Sequence, residues 1–292
     1  MKPAPFKYFV PATLEEVLSH LAEYGDEAKL LAGGQSLVPT MNFRLAQPSV
    51  LIDLNRVEEL FYIRAEDAQD VRIGAMTRQR EVERDLVVAQ KAPLVHETMP
   101  FIAHPQIRNR GTFGGSLAHA DPAAELPAVM VALNAKFLLR SEEEERWVPA
   151  SEFYEDLFLT VLEPEEILHE VSIPELPPKT GWAFREIARR SGDFALVGVA
   201  VLVQLDNKEQ CQDTRIVYLS VGNGPVEAQQ ATQALVGKKP SARTIKEAAD
   251  IAAGKDIDPP GDLHASPAYR RQLAKVLTEQ ALTQAFERAK NA

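Results

Sequence analysis

Two glycine pairs are the residues of this chain best suited to chemistry: Gly33-Gly34 within Ala32-Gly33-Gly34-Gln35-Ser36-Leu37, and Gly114-Gly115 within Thr112-Phe113-Gly114-Gly115-Ser116. Each follows an apolar run and has a hydroxyl or amide neighbour, so backbone N–H groups can close on an anion with no Cβ in the way. A lone pair of glycines is commonly only a tight turn. Two such segments imply one extended phosphate-bearing ligand held from both sides.

Other chemistries lack their residues. A nicotinamide-binding unit needs G-x-G-x-x-G between a strand and a helix, and a nucleoside-triphosphate loop needs a Gly-Lys followed by a hydroxyl residue at fixed spacing; neither occurs. There is no Gly-x-Ser-x-Gly elbow, so no catalytic residue is assigned. Cys211 is the only cysteine, which excludes an intrachain disulfide and a four-thiolate iron-sulfur cluster. His20, His96, His104, His119, His169 and His264 lack ligand spacing, and no metal site is expected.

Composition narrows the partners. Lys and Arg total 32 against 42 Asp and Glu, and the net charge of −10, without a basic run, argues against nucleic acid. No apolar stretch approaches the roughly 20 residues of a membrane span. Met1-Lys2-Pro3-Ala4-Pro5 has no signal-peptide apolar core, so a cytoplasmic protein is expected, without membrane insertion. A length of 292 residues fits two domains.

The elements that must position the glycines follow from pattern. Thr13 and Glu16 read as a capping box, Leu14, Val17, Leu18 and Leu21 as one helix face, and Gly25 as the stop. Lys29 to Ala32 is a short strand ending at the first glycine pair, with further strands at Val50 to Leu54 and Val71 to Gly74. A helix starts after Thr77, a second from Leu94 is disturbed by Pro100, and a third covers Ala123 to Ala132. Strands Lys136 to Leu139 and Trp147 to Pro149 flank Ser141-Glu142-Glu143-Glu144-Glu145, which reads as a solvated hairpin tip. Pro174 to Gly181 is a boundary. Beyond it come strands Trp182 to Ala188, Val197 to Leu205 and Ile216 to Val221, then helices Glu227 to Leu235, Ala242 to Ala253, and one from Ser266-Pro267 to about Arg288.

With these residues in view, Ala32 to Pro39 and the run Pro105 to Pro127, Pro-Gln-Ile-Arg-Asn-Arg-Gly-Thr-Phe-Gly-Gly-Ser-Leu-Ala-His-Ala-Asp-Pro-Ala-Ala-Glu-Leu-Pro, resemble the medium, FAD-binding subunit of molybdenum hydroxylases, the aerobic carbon monoxide dehydrogenase and xanthine dehydrogenase family. Arg189 to Ala195 and Tyr269-Arg270-Arg271 extend the resemblance over nearly the whole chain. It implies an α+β fold: a bipartite PCMH-type FAD-binding domain of two α/β subdomains over residues 1–176, then a C-terminal domain over 177–292 with a small three-stranded antiparallel sheet and helices. It implies FAD here, and molybdopterin and 2Fe-2S clusters only on a large and a small partner subunit, with electrons passing to an external acceptor.

The residues that the resemblance assigns to FAD are Leu31, Ala32, Gly33, Gly34, Gln35, Ser36, Leu37, Ile102, Ala103, Thr112, Phe113, Gly114, Gly115, Ser116, His119, Asp121, Glu125, Leu162 and Arg185. Relatives often carry Lys where this chain has Arg185. Asp121 could instead cap the helix that carries Glu125, and Phe194 could cover a flavin face or serve as a core side chain. A self-contained flavin oxidase of the vanillyl-alcohol type is the alternative within the same fold, though the segment after the boundary is small for a substrate cap.

Overall fold

The computed structural model describes residues 2–65 and 70–292; Met1, part of the N-terminal stretch read above, lies outside the described residues. Three layers follow one another along the chain. The first is a three-stranded parallel sheet in the order Lys7–Phe9, Val50–Asp53, Ala28–Leu31. The helix Leu14–Tyr24 covers it with Leu14, Val17, Leu18 and Leu21, all buried. Thr13 Oγ1 accepts the Glu16 N–H at 3.3 Å, and Gly25 ends the helix with φ 45°. The capping box differs in one half: Glu16 takes the N–H of Ala12, not that of Thr13. The strand expected at Lys29 to Ala32 is shifted back by one residue, which leaves Ala32 to the turn.

The second layer is an antiparallel sheet in the order Ile63–Arg64, Val71–Gly74, Ile167–Ile173, Lys136–Arg140, Glu145–Pro149. Lys136–Arg140 and Glu145–Pro149 form the expected hairpin, and Glu142, Glu143 and Glu144 at its tip are exposed. Pro100 falls in the short 3-10 turn Met99–Phe101 that ends the helix Pro93–Thr98, because its ring cannot continue an α-helix. The helix expected from Ala123 begins at Glu125, and all eight residues of Glu125–Ala132 are buried.

The third layer is a four-stranded antiparallel sheet, Thr180–Ala188, Ala195–Leu205, Cys211–Leu219 and Val226–Glu227, one strand more than the sequence reading gave. The extra strand is two residues long, too short to show a period. Ala195–Leu205 is apolar on both faces for a reason. Val197, Val199, Val201 and Val203 pack under the C-terminal helices, while Ala195, Ala200 and Leu202 join the core of the second layer. The helix Pro267–Asn291, capped by Ser266, closes the outer face with Leu273, Leu277, Ala281, Leu282 and Phe286. Among the described residues no helix is long and apolar enough to cross a membrane, and no group of three His, Cys, Asp or Glu is placed to hold a metal.

Candidate functional site

All three strands of the first sheet run the same way, so their carboxyl ends lie together, the edge where α/β folds grip ligands. The turn Ala32 to Ser36 leaves from there. Its N–H groups at Gly33, Gly34, Gln35 and Ser36 have no acceptor among the described residues. Most of its carbonyls, in contrast, are occupied: Gln35 Nε2 donates to Gly33 O at 3.0 Å, Val38 N to Gly34 O at 3.2 Å and Thr40 N to Ser36 O at 3.1 Å. The turn thus presents four free N–H donors, which suits an anion. Gly34 has φ +71°, a conformation other residues rarely adopt. A Cβ on Gly33 would strike the Arg110 carbonyl and lie 2.8 Å from Gly111 Cα, so the two glycine-bearing segments touch here, backbone to backbone.

The second pair differs in kind from the first. Gly114 and Gly115 are in the first turn of a helix, Phe113–His119, not in a loop, because Thr112 caps it with its hydroxyl on the Gly115 N–H at 3.1 Å. Phe113 N donates to Thr77 O at 2.9 Å and Gly114 N to Ala75 O at 2.8 Å. These N–H groups are spent within the protein. The glycines here permit close approach: a Cβ on Gly115 would sit 3.3 Å from Ala32 Cβ, and one on Gly114 2.5 Å from Ala75 Cβ. Ser116 keeps an uncommitted hydroxyl among the described residues.

A polar clamp joins the two segments. Asn55, just past the central strand, donates from Nδ2 to Ala32 O at 3.0 Å, and Arg78 bonds both the Asn55 amide oxygen and Arg110 O, the latter at 2.6 Å. Asp53 orients Asn55, with Nδ2 to Oδ1 at 2.5 Å, and Tyr8 donates to the same carboxylate. Burial pushes the Asp53 carboxyl up, but the hydrogen bonds from Tyr8 and Asn55 outweigh it and hold it below its ordinary range. Arg110, whose charge acts on Asp53, forms no ion pair among the described residues, so its charge and that of Arg78 favour a polyphosphate at this turn. Sequence reasoning missed Asn55, Arg78 and Arg110. The one available signal was that Asn55 follows a strand end parallel to the strand before the glycines.

The other expected residues line the path from this turn to the third layer. Arg108, buried, donates to Ile102 O at 2.8 Å and pairs with Glu83 at 2.9 Å, which fixes the bend at Ile102 and Ala103. His119 ends the glycine helix against Phe158, with ring centroids 5.1 Å apart, and burial pushes its imidazole down, leaving it neutral near pH 7. Asp121 Oδ1 accepts the Ala123 N–H at 2.9 Å within the turn before the helix, whose N-cap is Ala124 without a side-chain bond, so Asp121 does not cap it. Glu125 is 7 % exposed, and burial, with the charge of Asp121 adding to it, pushes its carboxyl up to about 7. Leu162 packs against the second-layer core. Pro122 O accepts the Ser220 N–H at 2.8 Å, and Gly192 lies against the His104 ring, so the third layer closes over the same region.

Two residues stand apart from this grouping. Arg185 is on the edge strand Thr180–Ala188, 3.7 Å from Glu97 and beside Glu279 and Thr283 of the C-terminal helix, and no described contact brings it to the glycine segments. Phe194 is 68 % exposed, which removes its core reading.

The free donors at Gly33 to Ser36, the unclosed Ser36 and Ser116 hydroxyls and the nearby guanidinium groups fit a dinucleotide diphosphate. Comparison with known proteins agrees. The family described as the FAD binding domain in molybdopterin dehydrogenase matches residues 4–176, and the CO dehydrogenase flavoprotein C-terminal domain matches residues 182–285. The alpha subunit of the 6-hydroxypseudooxynicotine dehydrogenase complex of Paenarthrobacter nicotinovorans is 43% identical over 99% of this chain and 97% of its own length. The carbon monoxide dehydrogenase medium chain of Hydrogenophaga pseudoflava is 36% identical over 99% of both. The solved carbon monoxide dehydrogenase from Hydrogenophaga pseudoflava superimposes with a TM-score of 0.94 at 38% identity over 99% of each chain. Quinoline 2-oxidoreductase from Pseudomonas putida 86 gives 0.93 at 39% identity, again over 99% of each.

Proposed function

Since this chain belongs to the FAD-binding medium subunits of molybdopterin-dependent dehydrogenases, we propose that it is the flavin end of an electron path through a heterotrimer, working in the cytoplasm. In that reading a large molybdopterin subunit oxidises the substrate, a small iron-sulfur subunit relays electrons, and the medium subunit passes them to an external acceptor. FAD, when bound, supplies the exchange between one- and two-electron steps.

The observation that carries the reading is the set of free N–H donors at Gly33 to Ser36, joined to the segment leading into the glycine helix by the contact of Gly33 with Arg110 and Gly111. Gly33, Gly34, Gln35 and Ser36 would hold the diphosphate through N–H groups and the Ser36 hydroxyl, with Leu31, Ala32 and Leu37 shaping the turn. Thr112, Phe113, Gly114, Gly115 and Ser116 would back it from the second segment. Ile102, Ala103, His119, Asp121, Glu125 and Leu162 would line the remainder, over a domain reaching to residue 176. Arg185 enters this reading only if its guanidinium turns away from Glu97.

With Cys211 as its only cysteine, the chain cannot ligate a four-thiolate cluster, so iron-sulfur carriers belong to other subunits. Relatives of similar identity are named for a pseudooxynicotine derivative, caffeine and carbon monoxide, which supports substrate choice residing on the large subunit. The test is anaerobic addition of substrate to the assembled complex. Bleaching of the flavin absorbance is expected; turnover with an unchanged flavin spectrum would remove this subunit from the path.

A further inference from the structure

The third layer places a carboxyl in the same region that no sequence motif marks. Glu186 lies on the face of strand Thr180–Ala188 that carries Phe184 into the second-layer core, where Phe184 meets Phe101 at 5.1 Å between ring centroids. Its Oε2 is buried and has no hydrogen-bond partner among the described residues. Across the ladder stands Gly198, which has no side chain to offer. Glu125, itself more than nine-tenths buried, has no side-chain partner among the described residues and is near enough for its charge to act on Glu186.

The surrounding charged groups are committed elsewhere. Arg108 spends its donors on Glu83 and Ile102 O. On the helix Pro93–Thr98, Glu97 pairs with Arg185 at 3.7 Å and with Arg288 of the C-terminal helix at 2.5 Å. Glu279 and Glu287 of the C-terminal helix lie beside Arg185, whose side chain leaves the strand on the opposite face. Arg189 pairs with Asp193 at 2.9 Å, and Asp121 acts on Glu125. His119 is held neutral by burial, and His104 is exposed against Gly192. Among the described residues, therefore, no cation neutralises Glu186.

We propose that Glu186 is a ligand-contacting residue of the flavin cleft, whose protonated carboxyl donates a hydrogen bond to a carbonyl oxygen or ring nitrogen of the bound cofactor. The proposal rests on the flavin reading above. Flavin and adenine rings both present acceptors of this kind, and a buried carboxyl without a partner is the group such an acceptor would satisfy. Burial, with the charge of Glu125 adding to it, pushes the Glu186 carboxyl up to about 8. The charge of an ionised Glu125 helps to keep the proton on Glu186.

The test is a fluorescence titration of the 292-residue chain with FAD between pH 7.5 and pH 9, beside the isosteric E186Q variant. A required proton on a group titrating at about 8 weakens wild-type binding about eightfold over that window. E186Q, which keeps a donor but cannot titrate, should bind within about threefold of wild type at pH 7.5 and lose most of the decline. Matching thermal melts of the two flavin-free chains would show that both are folded at each pH. Wild-type affinity that is flat across the window, or an E186Q decline equal to that of wild type, would overturn the proposal. Failure of the wild-type chain to bind FAD at every pH would overturn the flavin reading itself and this inference with it.

Discussion

Replacing Gly33 by alanine tests the contact on which the site depends. The new Cβ would lie 2.8 Å from Gly111 Cα and closer still to the Arg110 carbonyl oxygen. Carbon atoms rest about 3.5–4.0 Å apart, so the overlap is about 1 Å. Both obstacles are backbone atoms, which cannot swing aside as a side chain would. The turn itself must therefore retreat by a comparable distance, enough to lengthen a normal N–H···O bond of about 2.9 Å beyond its useful range. Losing one or two hydrogen bonds to a charged phosphate, at about 1.5–3 kcal/mol each, removes about 1.5–6 kcal/mol. That corresponds to an FAD Kd weaker by about 10-fold at the least and about 20,000-fold at the most. Unfolding in urea without FAD should register a separate loss of about 1–3 kcal/mol from the same overlap. Gly254→Ala is the control, since a Cβ there meets nothing within 4 Å; it should leave FAD affinity unchanged and not lower stability in urea, alanine being the better helix former. FAD binding by G33A within threefold of wild type would refute the reasoning.

Other perturbations read other parts of the molecule. Arg78→Met removes both arms of the clamp on Asn55 and Arg110 O, and should destabilise the chain by about 1.5–3 kcal/mol in urea, more than a matching change at exposed Arg190. Burial raises the Glu83 carboxyl, but hydrogen bonds from Arg108 and Arg80 outweigh it and hold it below its ordinary range. Its contribution is thus fully present above the unfolded carboxylate value of about 4.3 and lost as pH falls through the lower folded value. Urea stability measured from pH 6 to pH 3 should fall less steeply in E83Q than in wild type, and equal slopes would sink that assignment. Cys211 is buried, and burial first, then the charge of Asp213, pushes its thiol up to about 12. Thiol reagents at pH 7.5 should leave it untouched in the native chain and label it fully in urea; rapid native labelling would contradict its burial.

The local signals in the sequence were strong where one residue type has one physical use. Thr13 and Gly25 bracketed the first helix, and the glycine pairs marked the two segments that meet at Gly33 and Arg110. Apolar alternation in Val197 to Leu205 found the strand, but not the fact that two different cores claim its two faces. The helical state of Gly114 and Gly115 escaped notice because glycine disfavours helix, and only the Thr112 cap and the packing against Ala75 and Ala32 override that preference. Asn55, Arg78 and Glu186 were illegible for a common reason. Their roles come from contacts between segments far apart in sequence, and a lone Asn, Arg or Glu carries no periodicity that would mark it. Arg185 shows the reverse case, a motif position whose side chain is drawn to Glu97 at the strand edge.

The double-faced strand has a consequence for how the protein is made. Helix Glu125–Ala132 is buried throughout, and part of its cover is Ala200, Leu202, Val217 and Leu219 from the third layer. When the ribosome has delivered only the first 176 residues, the third-layer side of that helix still faces water, and the cofactor-binding half is an unfinished fold. Flavin capture then becomes a late event in biosynthesis, gated by emergence of the strands up to Leu219. A nascent chain stalled before that point would expose an apolar helix to chaperones and proteases, so quality control of the flavin half is written into the half that follows it.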